Sequence, residues 1–230
     1  MAADDIHQQI AEVARTLHAR SADDTVSLLS DIVKLAVAEI PGAHHASITV
    51  VDSSNIDTPA STGPYASTLD RIQATHRDGP CVTAAVSEQV VIIDDIATDE
   101  RWPVYRKAAL EQTPVRSVMS FQMFTLAETL GALNIYSEQP HAFDAEACEL
   151  GFVYATHAAL AWDSARRDDQ FHSALASRDL IGQAKGMVME RFGIDAVSAF
   201  ELLRRLSQES NTRLSEVARQ IVEERFTRPD

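Results

Sequence analysis

The chain has 230 residues, of which 45% are hydrophobic, and carries a net charge of −14. It is long enough for one or two domains, and no apolar run approaches the ~20 residues that span a bilayer. The two cysteines, Cys81 and Cys148, lie far apart, which excludes a disulfide scaffold and a paired-thiolate zinc site. Because the N-terminus is acidic, polar and unlike a signal peptide, we expect a cytoplasmic protein that does not enter a membrane.

Residues 5–40 are predicted to be helical, because apolar residues recur there at intervals of three and four until Pro41-Gly42. A β-branched run at Ala46–Asp52 predicts a strand. The polar stretch 53–64, rich in Ser, Thr and Pro, is predicted to be a loop. A short helix is expected over Ser67–His76.

Three further strands are predicted in the middle of the chain. Val90–Ile96 is a nearly continuous apolar run, so we expect it to be buried on both faces. Ser117–Leu126 and Leu130–Tyr136 are separated by three residues, which predicts a hairpin. A helix is expected over Trp102–Leu110, where Pro103 suits a first turn. Strands flanked by helices in this way indicate an α+β fold with one central antiparallel sheet.

The C-terminal part predicts helices only. From Asp144 to about Phe192 there is no Pro, which predicts one long connecting helix with Leu150, Val153, His157, Leu160 and Ala161 on its apolar side. Gly193 is expected to end this helix, and Asp195 to cap the next. Two short helices follow, and their predicted apolar faces comprise Ala199, Phe200, Leu203 and Leu206, then Leu214, Val217, Ala218, Ile221 and Val222.

The negative charge is confined to the first part of the chain. Residues 166–230 contain eleven basic and eleven acidic residues, so the whole net charge of −14 falls in residues 1–165. A strongly acidic chain disfavours a nucleic-acid partner, but this objection does not apply to the neutral tail.

Four blocks of the tail resemble the ANTAR domain, an RNA-binding module. They are Leu175–Arg178, Ile181–Met189, Ala199–Arg204 and Ser210–Ala218. The resemblance implies a transcription antitermination regulator that binds paired stem-loops in nascent RNA, so that a terminator hairpin does not form. RNA is therefore the expected partner, and a homodimer the expected assembly.

Three blocks of the first part resemble a GAF domain of the type that precedes ANTAR in mycobacteria. They are Asp78–Cys81, Val91–Ile96 followed by Arg101–Pro103, and Gly131–Tyr136. The resemblance implies an antiparallel sheet flanked by helices and a small-molecule ligand of unspecified identity. We expect a GAF-like sensor domain in residues 1–160 and a three-helix ANTAR module in residues 161–230, on a connecting helix that begins near residue 144.

Six residues of the ANTAR-like blocks are candidates for RNA contact: Gln183, Lys185, Asn211, Arg213, Arg178 and Arg204. Lysine and arginine bind phosphate, and glutamine can hydrogen-bond a base edge. Each also has a structural alternative. Lys185 and Gln183 suit an ordinary solvated helix surface, and Arg178 and Arg204 suit ion pairs with Asp179 or Glu201. For Asn211 and Arg213 the alternative is helix capping by Asn211 or its neighbours.

Other residues of the tail are expected to be structural. Ala184, Gly186 and Ala218 are small, which favours close packing between helices. Gly186 costs ~1 kcal/mol relative to Ala inside a helix, so it needs such a neighbour or RNA nearby. Phe200 could stack on a base, but its spacing favours the core.

The first part offers no named ligand contact. Cys81 has no CxxC partner and is expected to be buried and structural; any ligand should lie between the sheet and segments 54–81 and 97–116. No motif indicates a catalytic site, a metal or a cofactor. Asp94-Asp95 follows a strand as a phospho-acceptor would, but the pattern around it is not doubly wound. The remaining alternative is a ligand-sensing dimerisation module without RNA binding, although heptads extend over only about two repeats.

Overall fold

The computed structural model describes residues 25–51, 55–86, 89–125 and 129–226. The chain forms two compact units, Met1–Ala165 and Arg166–Asp230. The predicted helical stretch 5–24 lies outside the described residues. None of the helices within the described ranges is long and apolar enough to cross a membrane.

The first unit is built on a five-stranded sheet in the order β2-β1-β5-β4-β3. The strands are β1 His45–Val51, β2 Ile56–Ser61, β3 Val90–Ile93, β4 Ser117–Phe124 and β5 Thr129–Ser137. Each pair of neighbours is antiparallel. The predicted antiparallel α+β fold is therefore confirmed, and the parallel sheet of a doubly wound phospho-acceptor domain is excluded for these strands.

One face of the sheet is covered by α1, Thr25–Glu39, and by the beginning of α5, Ala145–Phe192. The predicted apolar side of α5 is wrong in part: Leu150 is fully buried, but Leu160 is 57% exposed. Tyr154 and four alanines form the buried side instead. Small residues let the helix approach closely; at Gly151 an added Cβ would overlap the ring of Phe121.

The opposite face is covered by α2 Pro64–His76, α3 Pro80–Val86 and α4 Pro103–Gln112. Helix α3 is absent from the sequence prediction, because seven residues carry too little periodicity. Gln73 of α2 stabilises the start of α3, because its Oε1 accepts a hydrogen bond from the Cys81 N–H at 2.8 Å. Gly79, with φ 139°, makes room, since a Cβ there would collide with the Gln73 side chain.

The structure corrects one loop prediction and one strand prediction. The predicted loop 53–64 contains β2, which pairs only with β1 at the sheet edge, where Pro59 is tolerated because its missing N–H need not join a ladder. The strand predicted at Val90–Ile96 ends at Ile93 and is not buried on both faces, since Ile92 is 37% exposed. Strand β3 forms the other edge of the sheet, where the Ile92 side chain remains in contact with solvent.

The second unit contains the end of α5 with α6 Ala196–Glu209 and α7 Leu214–Phe226. Gly193 follows α5 with φ 63°, and the Asp195 carboxylate accepts the Ser198 N–H at 2.7 Å, so both predicted helix signals are confirmed. The predicted apolar face of α7 is confirmed as well. The buried core comprises Ala184, Val188, Ala199, Leu203, Val217 and Ala218.

Gly131 provides a test of the sheet. It lies in β5 opposite Val50 and Met123 with φ 155°, and an added Cβ would overlap the carbonyl oxygen of Thr49. We expect Gly131→Ala to lower the free energy of unfolding by more than about 2 kcal/mol. Gly63→Ala, where the added Cβ meets nothing, is the matched control. Equal melting temperatures for the two variants would contradict this packing.

Candidate functional sites

A buried carboxylate lies between the sheet and α2. Asp70 is 2% exposed, on the side of α2 that faces β5. Its Oδ1 accepts a hydrogen bond from the Tyr136 hydroxyl at 2.8 Å, and its Oδ2 accepts one from the Thr58 hydroxyl at 3.2 Å. The Asn134 amide nitrogen lies 3.5 Å from Oδ1. Since β-strand side chains alternate, Asn134 and Tyr136 share the face of β5 opposite Leu133 and Ile135.

The carboxylate is surrounded by neutral groups. No basic side chain within the described ranges forms an ion pair with it. Burial raises the pKa of Asp70 from 3.8 to about 6, although the bonds from Tyr136, Ser47 and Thr58 act in the opposite direction. A buried ion without a counter-ion is costly, so this position opposes stability at neutral pH.

Within the ranges that the structure describes, four polar atoms in the same core have no hydrogen-bond partner. They are Gln73 Nε2, Tyr105 Oη, Ser120 Oγ and Asn134 Oδ1. Ser120 and Asn134 are direct neighbours across the β4–β5 pair, and Gln73 lies three residues after Asp70 on α2. Each such atom costs about 1–3 kcal/mol when buried alone, so four in one core indicate an internal site for water or a ligand.

These residues occupy the region in which the sequence predicted a ligand. Thr58, Asp70 and Gln73 belong to the predicted segment 54–81, and Tyr105 belongs to the segment 97–116. Sequence reasoning named none of them, because an aspartate on an amphipathic helix normally faces solvent. A polar residue among the apolar positions of α2, such as Asp70 between Leu69 and Ile72, was the available signal.

Cys81 is buried at 2% exposure, as predicted. Burial, followed by the charge of Asp70, raises the pKa of its thiol well above the ordinary value, so the thiolate is disfavoured at neutral pH. Within the described part of the chain, no three His, Cys, Asp or Glu side chains come together as a metal site would require.

The end of α5 presents its candidate residues on two flanks. Ala184 is fully buried, while Gln183 is exposed and Lys185 half-buried on either side of it. With about 3.6 residues per turn, Gln183 and Lys185 point in nearly opposite directions around the helix. Arg178 is exposed and lies two turns before Lys185 on the same side. The structure therefore groups Lys185 with Arg178 and separates both from Gln183.

Two glycines lie open on this helix. Ala184 and Ala218 are fully buried, which confirms their packing role. Gly186 is exposed, and neither it nor Gly182 has a heavy atom within 4 Å of an added Cβ, so the predicted helix packing at Gly186 is wrong. Nothing within the described residues explains why glycine occupies these positions, one turn apart.

Helix α6 departs from its predicted face. Phe200 is 39% exposed and Leu206 is 40% exposed, so their assignment to the core is wrong. The buried line instead runs through Ala199 and Leu203, with Leu202 beside it. Arg204, one turn after Phe200, pairs with Glu201 at 3.1 Å, and both side chains remain more than half exposed.

The connection between α6 and α7 holds the last two candidates. Asn211 is exposed with φ 50°, a conformation that asparagine tolerates. Arg213 is exposed, and its carbonyl accepts the N–H groups of Glu216 and Val217, which places it at the start of α7. The Ser210 and Thr212 hydroxyls donate to carbonyls of Leu206 and Ser210, and so do not cap the α7 N–H groups.

A five-stranded antiparallel sheet covered by helices on both faces, followed along the chain by a small helical unit, gives the chain a two-domain architecture. The GAF domain family matches residues 22–163, and the ANTAR domain family matches residues 169–222. The chain belongs to the GAF family and carries an ANTAR domain after its GAF domain, as the sequence predicted. A comparison of the chain with curated proteins found no match.

Solved structures agree with this fold. The GAF domain of a phosphoenolpyruvate-protein phosphotransferase from Coxiella burnetii has a TM-score of 0.58 at 16% identity, covering 74% of this chain and 99% of that one. Its counterpart from Acinetobacter has a TM-score of 0.56 at 14% identity, covering 73% and 97%. Free methionine-R-sulfoxide reductase from Neisseria meningitidis has 0.52 at 17%, covering 71% and 91%. At these identities the likeness concerns the fold alone.

The burial of Asp70 predicts an unusual pH dependence. Because its pKa is about 6 in the folded protein against 3.8, the folded state binds more protons between these values, and stability falls as pH rises through them. The difference corresponds to about 3 kcal/mol. Asp70→Asn should therefore raise the melting temperature at about pH 8 and reduce its fall between about pH 4 and pH 8.

Asp57→Asn, at an exposed position of β2, is the matched control, since it removes the same charge from a solvated site. Melting temperatures across the pH range measure both variants. Parallel curves for the two would mean that Asp70 ionises without a burial penalty.

Proposed function

We propose that the chain is an RNA-binding transcription antitermination regulator, whose ANTAR domain binds paired stem-loops in nascent RNA. The observation that carries the proposal is the ANTAR match over residues 169–222, which spans the open face of α5. The GAF domain senses a small molecule in its buried polar core. The protein acts in the cytoplasm, where it meets nascent transcripts.

The surface of the ANTAR domain supports contact with phosphates. Arg178 and Lys185 share one side of α5, and Arg213 stands at the start of α7, where the helix dipole also favours anions. Gln183 and Asn211 are exposed and offer amides to base edges. Arg204 extends the basic set, with Phe200 one turn away as a stacking surface for an unpaired base.

The open glycines support close approach of RNA. Gly182 and Gly186 lie on the exposed side of α5 that also carries Arg178 and Lys185. Two glycines there reduce helix stability, while the absence of side chains lets a ribose-phosphate backbone contact the helix directly. Basic residues beside a flat helical surface are suited to this.

Two copies of the domain engage two stem-loops in the proposed homodimer. Linking two weak contacts raises the overall affinity well above that of either one. A ligand in the GAF domain regulates RNA binding only if it has unequal affinity for two arrangements of the dimer.

A second candidate function is dimerisation or protein interaction without RNA. It is favoured by exposed apolar side chains on α5, notably Phe171 at 61% and Leu175 at 41% exposure. Apolar residues four positions apart suit a helix–helix contact, and they would serve the homodimer of the first proposal equally well. Binding of purified protein to a two-stem-loop RNA, against duplex DNA of equal length, distinguishes the two functions.

The salt dependence of RNA binding tests the basic residues. We expect Lys185→Gln with Arg213→Gln to weaken binding and to flatten the plot of log affinity against log salt by about 1.5, because two phosphate contacts are lost. The control, Arg191→Gln with Arg219→Gln, removes two positive charges of the same domain that lie outside the proposed RNA contacts. An unchanged slope of log affinity against log salt in the first double variant, with the fold intact, would contradict this placement of the RNA surface.

The glycines give a test in which stability and binding move in opposite directions. We expect Gly182→Ala with Gly186→Ala to stabilise the protein by up to about 2 kcal/mol, because alanine favours helix and nothing obstructs it. RNA affinity should nevertheless fall at least about tenfold, a loss of about 1.4 kcal/mol. Ser173→Ala, also exposed on α5, should stabilise slightly and leave RNA binding unchanged. If the double alanine variant is stabilised but binds RNA with full affinity, the exposed side of α5 at Gly182 and Gly186 does not contact RNA.

A further inference from the structure

The polar core of the GAF domain, defined here as Asp70, Gln73, Tyr105, Ser120 and Asn134 with Cys81 and Tyr136, has a distinct charge and hydrogen-bonding pattern. We propose that this polar core binds a small organic cation of the amino-alcohol class, with the ammonium group paired to Asp70. The proposal rests on the sensing role proposed above and specifies the chemistry of what is sensed.

The charge of the polar core selects against anions. Its one formal charge is the Asp70 carboxylate, and the side chains around it are amides, hydroxyls, phenols and a thiol. A ligand bearing phosphate or carboxylate would meet a buried negative group and no basic partner within the described part of the chain. A cation instead supplies the counter-ion that the buried carboxylate lacks.

The unpartnered atoms specify more than a charge. Asn134 Oδ1 needs a donor, Gln73 Nε2 needs an acceptor, and the hydroxyls of Ser120 and Tyr105 can serve as either. An ammonium group has three donors and no acceptor, so a bare ammonium ion leaves Gln73 unsatisfied. A ligand that also carries a hydroxyl oxygen satisfies both kinds of atom.

The groups of the polar core lie close together. Asn134 donates to Asp70 through its amide nitrogen at 3.5 Å, so its unpartnered oxygen lies near the carboxylate. Gln73 stands one turn from Asp70 on the same side of α2, about 5–6 Å away at the Cβ atoms. Ser120 is the cross-strand neighbour of Asn134. The atoms are closed to bulk solvent, which favours a compact ligand over an extended one.

A metal ion fits this arrangement poorly. Calcium and magnesium prefer several oxygen ligands that include more than one carboxylate, and transition metals prefer imidazole or thiolate. The polar core contains one carboxylate and one thiol, and the thiolate form of Cys81 is disfavoured by burial. Ordered water would satisfy the same atoms without selecting a charge, so charge selectivity separates the proposal from a hydrated core.

Three probes of nearly equal size separate charge from shape: 3-aminopropan-1-ol, propane-1,3-diol and 3-hydroxypropanoate. Each is added to the full chain at up to about 10 mM and about pH 8, and the rise in melting temperature gives its affinity through mass action. We expect the amine to stabilise the protein with an affinity at least tenfold above that of the diol, and the acid to have no effect. No response to the amine, or equal responses to amine and diol, would overturn the proposal.

Variants locate the response. Asp70→Asn should abolish the preference for the amine, while the matched Asp57→Asn at an exposed position should keep it. Ser120→Ala retains the carboxylate and removes one unpartnered hydroxyl, so it should weaken amine binding several-fold and preserve the selectivity for the cation. Since Asp70→Asn is expected to stabilise the free protein, a lost response in that variant does not result from unfolding. An Asp70→Asn protein that still prefers the amine would overturn the proposal.

Acidification provides an independent readout. The titratable groups that face Asp70 from the neighbouring elements are Cys81, Tyr105 and Tyr136, and burial raises the pKa of the thiol and both phenols well above neutrality. Only Asp70 among them titrates near pH 6. Amine affinity should therefore fall as pH is lowered through about 6, whereas diol affinity should not change. A pH-independent amine affinity would contradict pairing with the carboxylate.

RNA binding measured on the same preparations keeps the two proposals apart. Salt-sensitive RNA binding without an amine response would contradict the amino-alcohol site and support the antitermination function. An amine response without RNA binding would retain the site and remove the proposed function.

Discussion

The alternation of side chains along β5 is the constraint on which the first unit depends. This strand is central in the sheet, with β1 on one side and β4 on the other. Because successive residues point to opposite faces, Leu133 and Ile135 enter the core under α1 and α5, while Asn134 and Tyr136 enter the core under α2. The same four residues thus build a dry apolar layer on one face and a polar site on the other. A shift of one residue would exchange the two faces and destroy both.

The polar core opposes the stability of the domain that contains it. An ionised Asp70 without a counter-ion and four unpartnered polar atoms would be removed by selection for stability alone, since apolar residues of similar size would pack there. Their concentration in one core, opposite an apolar one, indicates an internal polar site that water or a bound ligand completes. The surrounding apolar contacts of Leu69, Val118 and Ala132 supply the stability that this site lacks.

The ANTAR domain shows the same conflict between local stability and surface function. Gly182 and Gly186 weaken a helix in which no described residue comes within 4 Å of an added Cβ, and Phe200 leaves a large apolar ring in contact with water. Its core is small, with six buried residues of which three are alanine, so the domain has little stability to lose. Places where local preference and global fold disagree are expected at functional surfaces.

Much of the secondary structure was determined by the sequence itself. The 3.6-residue period of α7, the stop at Gly193 and the cap at Asp195 are local, and each was predicted because its physical cause lies within a few residues. Both domain families were likewise evident from local blocks such as Ile181–Met189. Short or edge elements, α3 and β2, escaped prediction because seven residues of α3 show little periodicity and β2 contains Pro59 among polar residues. Both are stabilised by pairing with neighbouring elements, α3 through Gln73 of α2 and β2 through β1.

Only the tertiary structure decided which side of each element is buried. The polar core joins residues from α2, α3, α4, β4 and β5, of which Asp70 and Tyr136 are 66 positions apart, and no local pattern encodes their meeting. Likewise, the exposure of Phe200 and of Gly186 depends on how three helices share one small core, since a period of 3.6 fixes an apolar stripe only to within a neighbouring residue. Local sequence thus determined which elements form, and packing determined which of their residues remain available to a ligand or to RNA.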